Sequence, residues 1–139
     1  MKVLFDTNII LDVLLERKPF SEHASHLMSK VEQSEIDGFL CATTVTTIHY
    51  LLSKNLDKEL AIKSINSIMA LFEVASVNRL VIKNALNSKF SDFEDSVLHE
   101  SARHAGAEYI VTRNIKDFKH ATIPAFTPTE FLNMLAALN

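Results

Sequence analysis

The amino-acid sequence predicts a single doubly wound α/β domain, a parallel sheet of about four to five strands with helices on both faces. Three observations carry this. Short apolar runs alternate with helical periodicities, each strand candidate is apolar throughout, and only two Gly and three Pro interrupt 139 residues. A strand that reads as a continuous hydrophobic run is buried on both faces, as in parallel sheets covered by crossover helices. The length suits one domain, residues 1–139, able to bury about two thirds of its unfolded surface.

The elements follow in order. Lys2 to Phe5 reads as a buried strand, and Ile9 to Leu15 as a short helix directly after it. Residues 21 to 35 set Ala24, Leu27, Met28 and Val31 on one helical face, with Ser21 as N-cap. Asp37-Gly38 reads as a break before a second strand, Phe39-Leu40-Cys41-Ala42. Residues 45 to 54 and 57 to 71 form two helices, the second capped by Asp57. Phe72 to Val77 is a third strand and Arg79 to Ser88 a helix. Asp92 to Ala105 is a helix with the stripe Phe93, Val97, Leu98, Ala102 and Ala105, and after Gly106 comes a fourth strand, Glu108 to Thr112. Residues 123 to 127 hold a short fifth strand, and Pro128 opens the last helix with Thr127 as its cap.

Composition narrows the function. No run is long enough to span a bilayer and no secretory leader is visible, so a cytoplasmic location is expected, with no membrane partner. The lone Cys41 has no disulfide or thiolate-metal partner and reads as a small core residue. A net charge of -3 and a pI near 6.0 give no overall basic footprint. The six histidines include no H-E-x-x-H, and there is no glycine-rich phosphate loop or G-x-S-x-G. A phosphatase-like domain expects a second Asp two residues after Asp6, where Asn8 stands.

In open α/β sheets ligands bind outside the carboxyl ends of the strands, where the strand order reverses. The residues there are Asp6-Thr7-Asn8, Thr43-Thr44, Ser76-Val77-Asn78 and Thr112-Arg113-Asn114. Asp6 interrupts the apolar run VLFDTNIILDVLL. Helix capping alone accounts for one such Asp. FSDFEDSVLHESARHAG then places Asp92, Glu94 and Asp95 at a helix start, three acids in four residues and more than capping needs. YIVTRNIKDF adds Thr112, Asn114 and Asp117 after the fourth strand, so that oxygen ligands from three segments share one cluster.

These pieces, VLFDTNIILDVLL, DFEDSVLHESARHAGAEYIVTRN and IKDF, resemble in order and spacing the PIN domains, and within them the VapC-like toxin nucleases. The resemblance spans essentially the whole chain. It implies a doubly wound fold and a divalent-metal-dependent endoribonuclease, the toxin of a toxin–antitoxin pair, with RNA as substrate and an antitoxin protein as partner. It also implies a homodimer, for which Ile62, Ile65, Ile68 and Met69 offer a face that serves equally well as core.

Carried over by residue, the family's first acid is Asp6 and its third is Asp95. Asn114 stands after Thr112-Arg113 as an accepted variant, supported by Asp117. The family's second acid, the Glu of S-x-x-T-x-x-E, falls on Thr47 in CATTVTTIHYLL, so an alternative reading is a PIN-fold protein that binds RNA or a protein partner without cutting. Asp92 or Glu94 is positioned to compensate; on a helical wheel Glu94 falls toward the apolar stripe, and is there either paired or pointing into the crevice. The implied cofactor is Mg²⁺ or Mn²⁺, which suits an oxygen-only set, with Asp6 and Asp95 as core ligands and Asn114 and Asp117 acting through water. Thr7 and Asn8 fix the turn, and Asp12 lies off the site on the helix surface or behind the ligands. Arg17, Lys18, Arg113, Lys116 and Lys119 are candidates to rim the crevice, and His99 reads as a surface or hydrogen-bonded residue.

Overall fold

The side chains of Val3, Leu4 and Phe5 have no polar atom to present to water, and in the computed structural model, which describes residues 1–139, these residues form the middle of the sheet. Strand β1 (Lys2–Phe5) pairs in parallel with β2 (Asp37–Cys41) on one side and β4 (Tyr109–Val111) on the other. Strand β3 (Glu73–Ala75) extends β2 and β5 (Ala125–Phe126) extends β4, so the order is β3-β2-β1-β4-β5 with every pair parallel. The chain steps outward from β1 to β3 and then crosses back to β4. Its direction therefore reverses between β1 and β4, the position at which such sheets hold ligands.

Successive strand residues point to opposite faces, and two cores result. Val3, Phe5, Leu40 and Val111 pack under α1 (Thr7–Leu14), α2 (Ser21–Glu32), α3 (Ala42–Asn55), α4 (Lys58–Leu71) and α7 (Pro128–Leu138). Leu4, Cys41, Ala75 and Ile110 pack under α5 (Arg79–Leu86), α6 (Phe93–Ala105) and Phe118, which ends a 3₁₀ turn, Ile115–Phe118. Both faces are covered, which is why the strands read as apolar runs.

The expected caps largely hold. Asp57 Oδ1 accepts from Leu60 N–H at 2.8 Å, Asp92 Oδ1 from Asp95 N–H at 2.9 Å, and Thr127 forms a reciprocal capping box with Glu130. Gly106, at φ 78°, closes α6 in the left-handed region that favours glycine. Ser21 is not a cap: it is the first helical residue, and Phe20 occupies the capping position without a side-chain hydrogen bond. Phe93 does not join the buried stripe of α6, because it lies in the first turn and is half exposed while Val97, Leu98 and Ala102 are buried. On α4 the apolar face divides, Ile68 buried in the core and Ile62 and Met69 exposed at 47% and 46%. No helix is long and apolar enough to cross a membrane.

Asp37-Gly38 is not a break. Both residues lie within β2, with Gly38 opposite Val3. A Cβ on Gly38 would sit 2.7 Å from two carbons of the Phe72 ring and 3.0 Å from Val31 Cγ1. The glycine is there because a buried aromatic ring occupies the space of its side chain, a constraint between segments that local periodicity does not carry. Gly38→Ala is expected to lower stability by about 1–3 kcal/mol, the usual cost of overpacking a filled core, measurable as a reduced midpoint in urea denaturation at an unchanged slope.

Candidate active site

Where β1 ends, Asp6 N–H still donates to Val111 O at 2.9 Å, so the residue is held at the seam between β1 and β4. Its side chain is the N-cap of α1: Oδ1 accepts from Thr7 N–H at 2.7 Å. Oδ2 accepts from Thr112 Oγ1 at 2.7 Å and from Asn8 Nδ2 at 3.3 Å. Thr112, itself buried, also accepts from Asn114 N–H at 3.0 Å and so ties the loop after β4 to the same carboxylate. Asp6 is thus both a cap and an oriented acid, only 7% exposed. Burial raises its pKa, the hydrogen bonds from Thr112 and Thr7 oppose that rise, and the charges of Glu94 and Asp117 add to it.

The first turn of α6 brings the second group. Asp92 caps the helix and Asp95 is half buried, its pKa pushed up to about 7, first by burial and then by the charges of Asp6, Asp92, Asp117 and Glu94. Glu94 is exposed along the crevice instead of packed beneath α6, and Asp117 enters from the 3₁₀ turn anchored by buried Phe118. Together with Asn8, Asn114, Thr43, Thr44 and Arg17 these acids line an open crevice of about 350 Å³. A contact between Thr7 Oγ1 and Thr44 Oγ1 at 2.8 Å joins α1 to α3 at its floor.

Most of the residues expected from the sequence therefore gather at one place. Thr112 lies beneath the crevice and Arg113 opens into an adjoining groove. Ser76, Val77 and Asn78 are elsewhere, because β3 is at the sheet edge, and Asn78 caps α5 through Val81 N–H. Lys18, Lys116 and Lys119 are exposed but outside the crevice lining. Thr47 is half buried on α3, also outside the lining; the residues of α3 that reach it are Thr43 and Thr44. His99 is buried, its Nε2 accepts from Thr122 N–H at 3.0 Å, and it stacks on Phe90 with centroids 5.0 Å apart. Burial lowers its pKa, in keeping with a neutral ring that accepts at Nε2.

Of the two places expected for Asp12 the structure excludes the helix surface: it is 0% exposed, behind the crevice-lining Arg17. Arg17 Nε lies 3.0 Å from its Oδ1, Arg113 Nε lies 2.8 Å from its Oδ2, and Arg113 Nη2 donates to Oδ1 at 3.2 Å. The two Nε contacts are ion pairs without hydrogen-bond alignment. Arg17 faces the crevice and Arg113 the adjoining groove, so one buried acid places a cation at each. The signal in the sequence was an Asp on the α1 apolar side that needs a charged partner to be buried at all.

No group of three or more His, Cys, Asp or Glu side chains is arranged to hold a metal ion. Two carboxylates with neutral oxygens and water form a different donor set, and it is the one Mg²⁺ prefers. Asp6 and Asp95 are two carboxylates close enough for their charges to interact, and Asn8 Oδ1 in the same crevice is a buried oxygen with no hydrogen-bond partner.

Comparison with known proteins fits this geometry. The family model for the PIN domain matches residues 2–116. The chain belongs to the PIN domain family. This PIN domain is 26% identical over 135 residues to Ribonuclease VapC1 of Aquifex aeolicus, covering 94% of this chain and 92% of that protein. Three solved structures share its fold. FitAB bound to the IR36 DNA fragment matches at TM-score 0.73 and 20% identity, over 91% of this chain and 94% of that one. VapBC2 of Rickettsia felis bound to a promoter fragment gives 0.69 and 14%, over 91% and 98%. A toxin–antitoxin complex from Klebsiella pneumoniae gives 0.68 and 21%, over 91% and 97%.

The raised pKa of Asp95 has a signed consequence. The metal-free fold penalises its ionised form, so stability falls as pH rises from the ordinary carboxyl value of 3.8 toward about 7 and is flat above. Asp95→Asn does not ionise. In thermal melts with EDTA, the excess in Tm of this variant over wild type is expected to grow between pH 5 and pH 7.5.

Proposed function

We propose that this PIN domain is an Mg²⁺- or Mn²⁺-dependent endoribonuclease that hydrolyses RNA phosphodiesters, and that it is the toxin of a toxin–antitoxin pair in the cytoplasm. The observation that carries the reading is the oriented Asp6 facing Asp95 across an oxygen-lined crevice at the β1/β4 seam. Likeness to Ribonuclease VapC1 supports RNA as substrate, and the structural likeness to toxin–antitoxin complexes supports an antitoxin partner. The exposed Ile62 and Met69 support a homodimer.

In this reading Asp6 and Asp95 hold the ion, Asn8 adds an oxygen, and Asp92 and Glu94 strengthen the local negative potential. A divalent ion bound there supplies Lewis-acid polarisation of the phosphate and lowers the pKa of its bound water. Thr112 fixes the orientation of the Asp6 carboxylate, which lines the crevice. Asn114 and Asp117 stand where a water approaching the phosphate is held by hydrogen bonds, and Arg17, fixed by Asp12, offers a guanidinium to a phosphate oxygen. A second reading, a PIN domain that binds without cutting, draws on Thr47, since α3 contributes hydroxyls and no acid to the crevice.

Purified protein is expected to cut a short single-stranded RNA with Mn²⁺ or Mg²⁺ and not with EDTA, and Asp6→Asn and Asp95→Asn to reduce cleavage to background. RNA binding by wild type with cleavage no better than in the variants would favour the second reading. Thr112→Val, which removes only the hydroxyl that orients Asp6, is expected to weaken Mn²⁺ binding or activity about 10–100-fold, checked by titration calorimetry of the metal alone.

A further inference from the structure

Beside the acidic crevice lies a second cavity, of about 580 Å³, and Asn114 lines both. A volume of that order, in the ~300–1,000 Å³ range of small-molecule sites, accommodates a nucleotide. Its chemistry is the opposite of the crevice's, for no carboxylate lines it. Arg113 lies with its guanidinium carbon 3.9 Å from the Phe20 ring centroid, and Asp12 holds that guanidinium through Nε and Nη2. Phe20 is still 41% exposed.

Phe20 also stands at the N-cap position of α2, where Ser, Thr, Asp or Asn would serve the helix better. The ring is therefore unexplained by the helix and only partly by packing. A flat aromatic–guanidinium pair bordered by hydrogen-bonding groups, here His23, Asn114 and Thr129, is the chemistry by which proteins take up an unpaired base. Phe20, Pro19 and Pro128 make much of the exposed wall apolar, which suits the flat face of a base, while His23, Arg113, Asn114 and Thr129 offer polar groups to its edge.

We propose that this groove is a nucleotide subsite that receives one unpaired base of the RNA strand adjoining the scissile phosphate, stacked on the Phe20–Arg113 pair. Asp12 is its positioning residue, holding Arg113 in the groove and Arg17 in the crevice. The inference rests on the ribonuclease reading and adds to it a route for the strand, from the acidic crevice across Asn114 and into the groove.

The test uses the full chain with Mn²⁺ and single-stranded RNA hexamers carrying 5-iodouridine at successive positions, bound to Asp95→Asn protein so that the strand stays intact. Irradiation is expected to cross-link one position to the peptide containing Phe20. Phe20→Leu is expected to weaken hexamer binding about tenfold, as loss of one base stack does, and Phe20→Trp to restore it. In cleavage by otherwise native protein the Phe20→Leu loss falls on KM and not on kcat. Cross-links confined to other peptides, or Phe20→Leu binding and cutting as wild type does, would overturn the subsite and return the groove to a protein partner while leaving the nuclease intact. Wild type that neither binds nor cuts RNA would overturn both readings together.

Discussion

The hydrogen bond from Thr112 to Asp6 crosses the only seam in the sheet where chain direction reverses, and the rest of the site depends on it. A carboxylate buried to this degree is costly unless it is hydrogen-bonded, and Asp6 accepts from a backbone N–H, an amide and a hydroxyl. Those bonds fix its orientation from two segments, the first turn of α1 through Thr7 and Asn8 and the end of β4 through Thr112. The same Thr112 hydroxyl accepts from Asn114 N–H, so the loop that carries Asn114 and Asp117 takes its position from the carboxylate it surrounds.

Charge is separated over a short distance around this point. On one side burial, and then the charges of Asp6, Asp92, Asp117 and Glu94, push the pKa of Asp95 up to about 7. That is an unfavourable arrangement for the fold and a favourable one for capturing a cation, since a divalent ion relieves the repulsion that folding imposes. On the other side the buried Asp12 gathers two arginines, whose ion pairs offset the cost of burying a carboxylate. The net charge of -3 conceals this dipolar layout, an acidic pole in the crevice and a guanidinium pole shared between it and the neighbouring groove.

Much of the fold was legible in the sequence because its signals are local. Apolar runs flanked by caps gave the strands and helices to within a few residues, and the parallel, two-faced sheet followed from the absence of alternation. Asp6, Asn8, Asn114 and Asp117 were legible because the residues after the central strands of such a sheet share one edge, and Asp95 because three acids crowd one helix start. Apart from the cap of α2 and the place of Phe93, errors fell where two distant segments meet. Gly38 looked like punctuation until Phe72 was placed against it, and Asp12 looked like surface until Arg17 and Arg113 were found around it.

The sequence by itself determined the family, the architecture, the acids at the end of β1 and the start of α6, and the caps of α4, α6 and α7, because each depends on residue type and spacing along the chain. The tertiary structure alone decided that Thr112 orients Asp6, that Thr47 stays outside the crevice while Thr43 and Thr44 line it, and that Phe20 and Arg113 stack in a groove joined to the acids at Asn114. Those contacts join residues as far as 106 positions apart. Their existence depends on strand order and helix packing, which bring side chains together by geometry that no local pattern encodes.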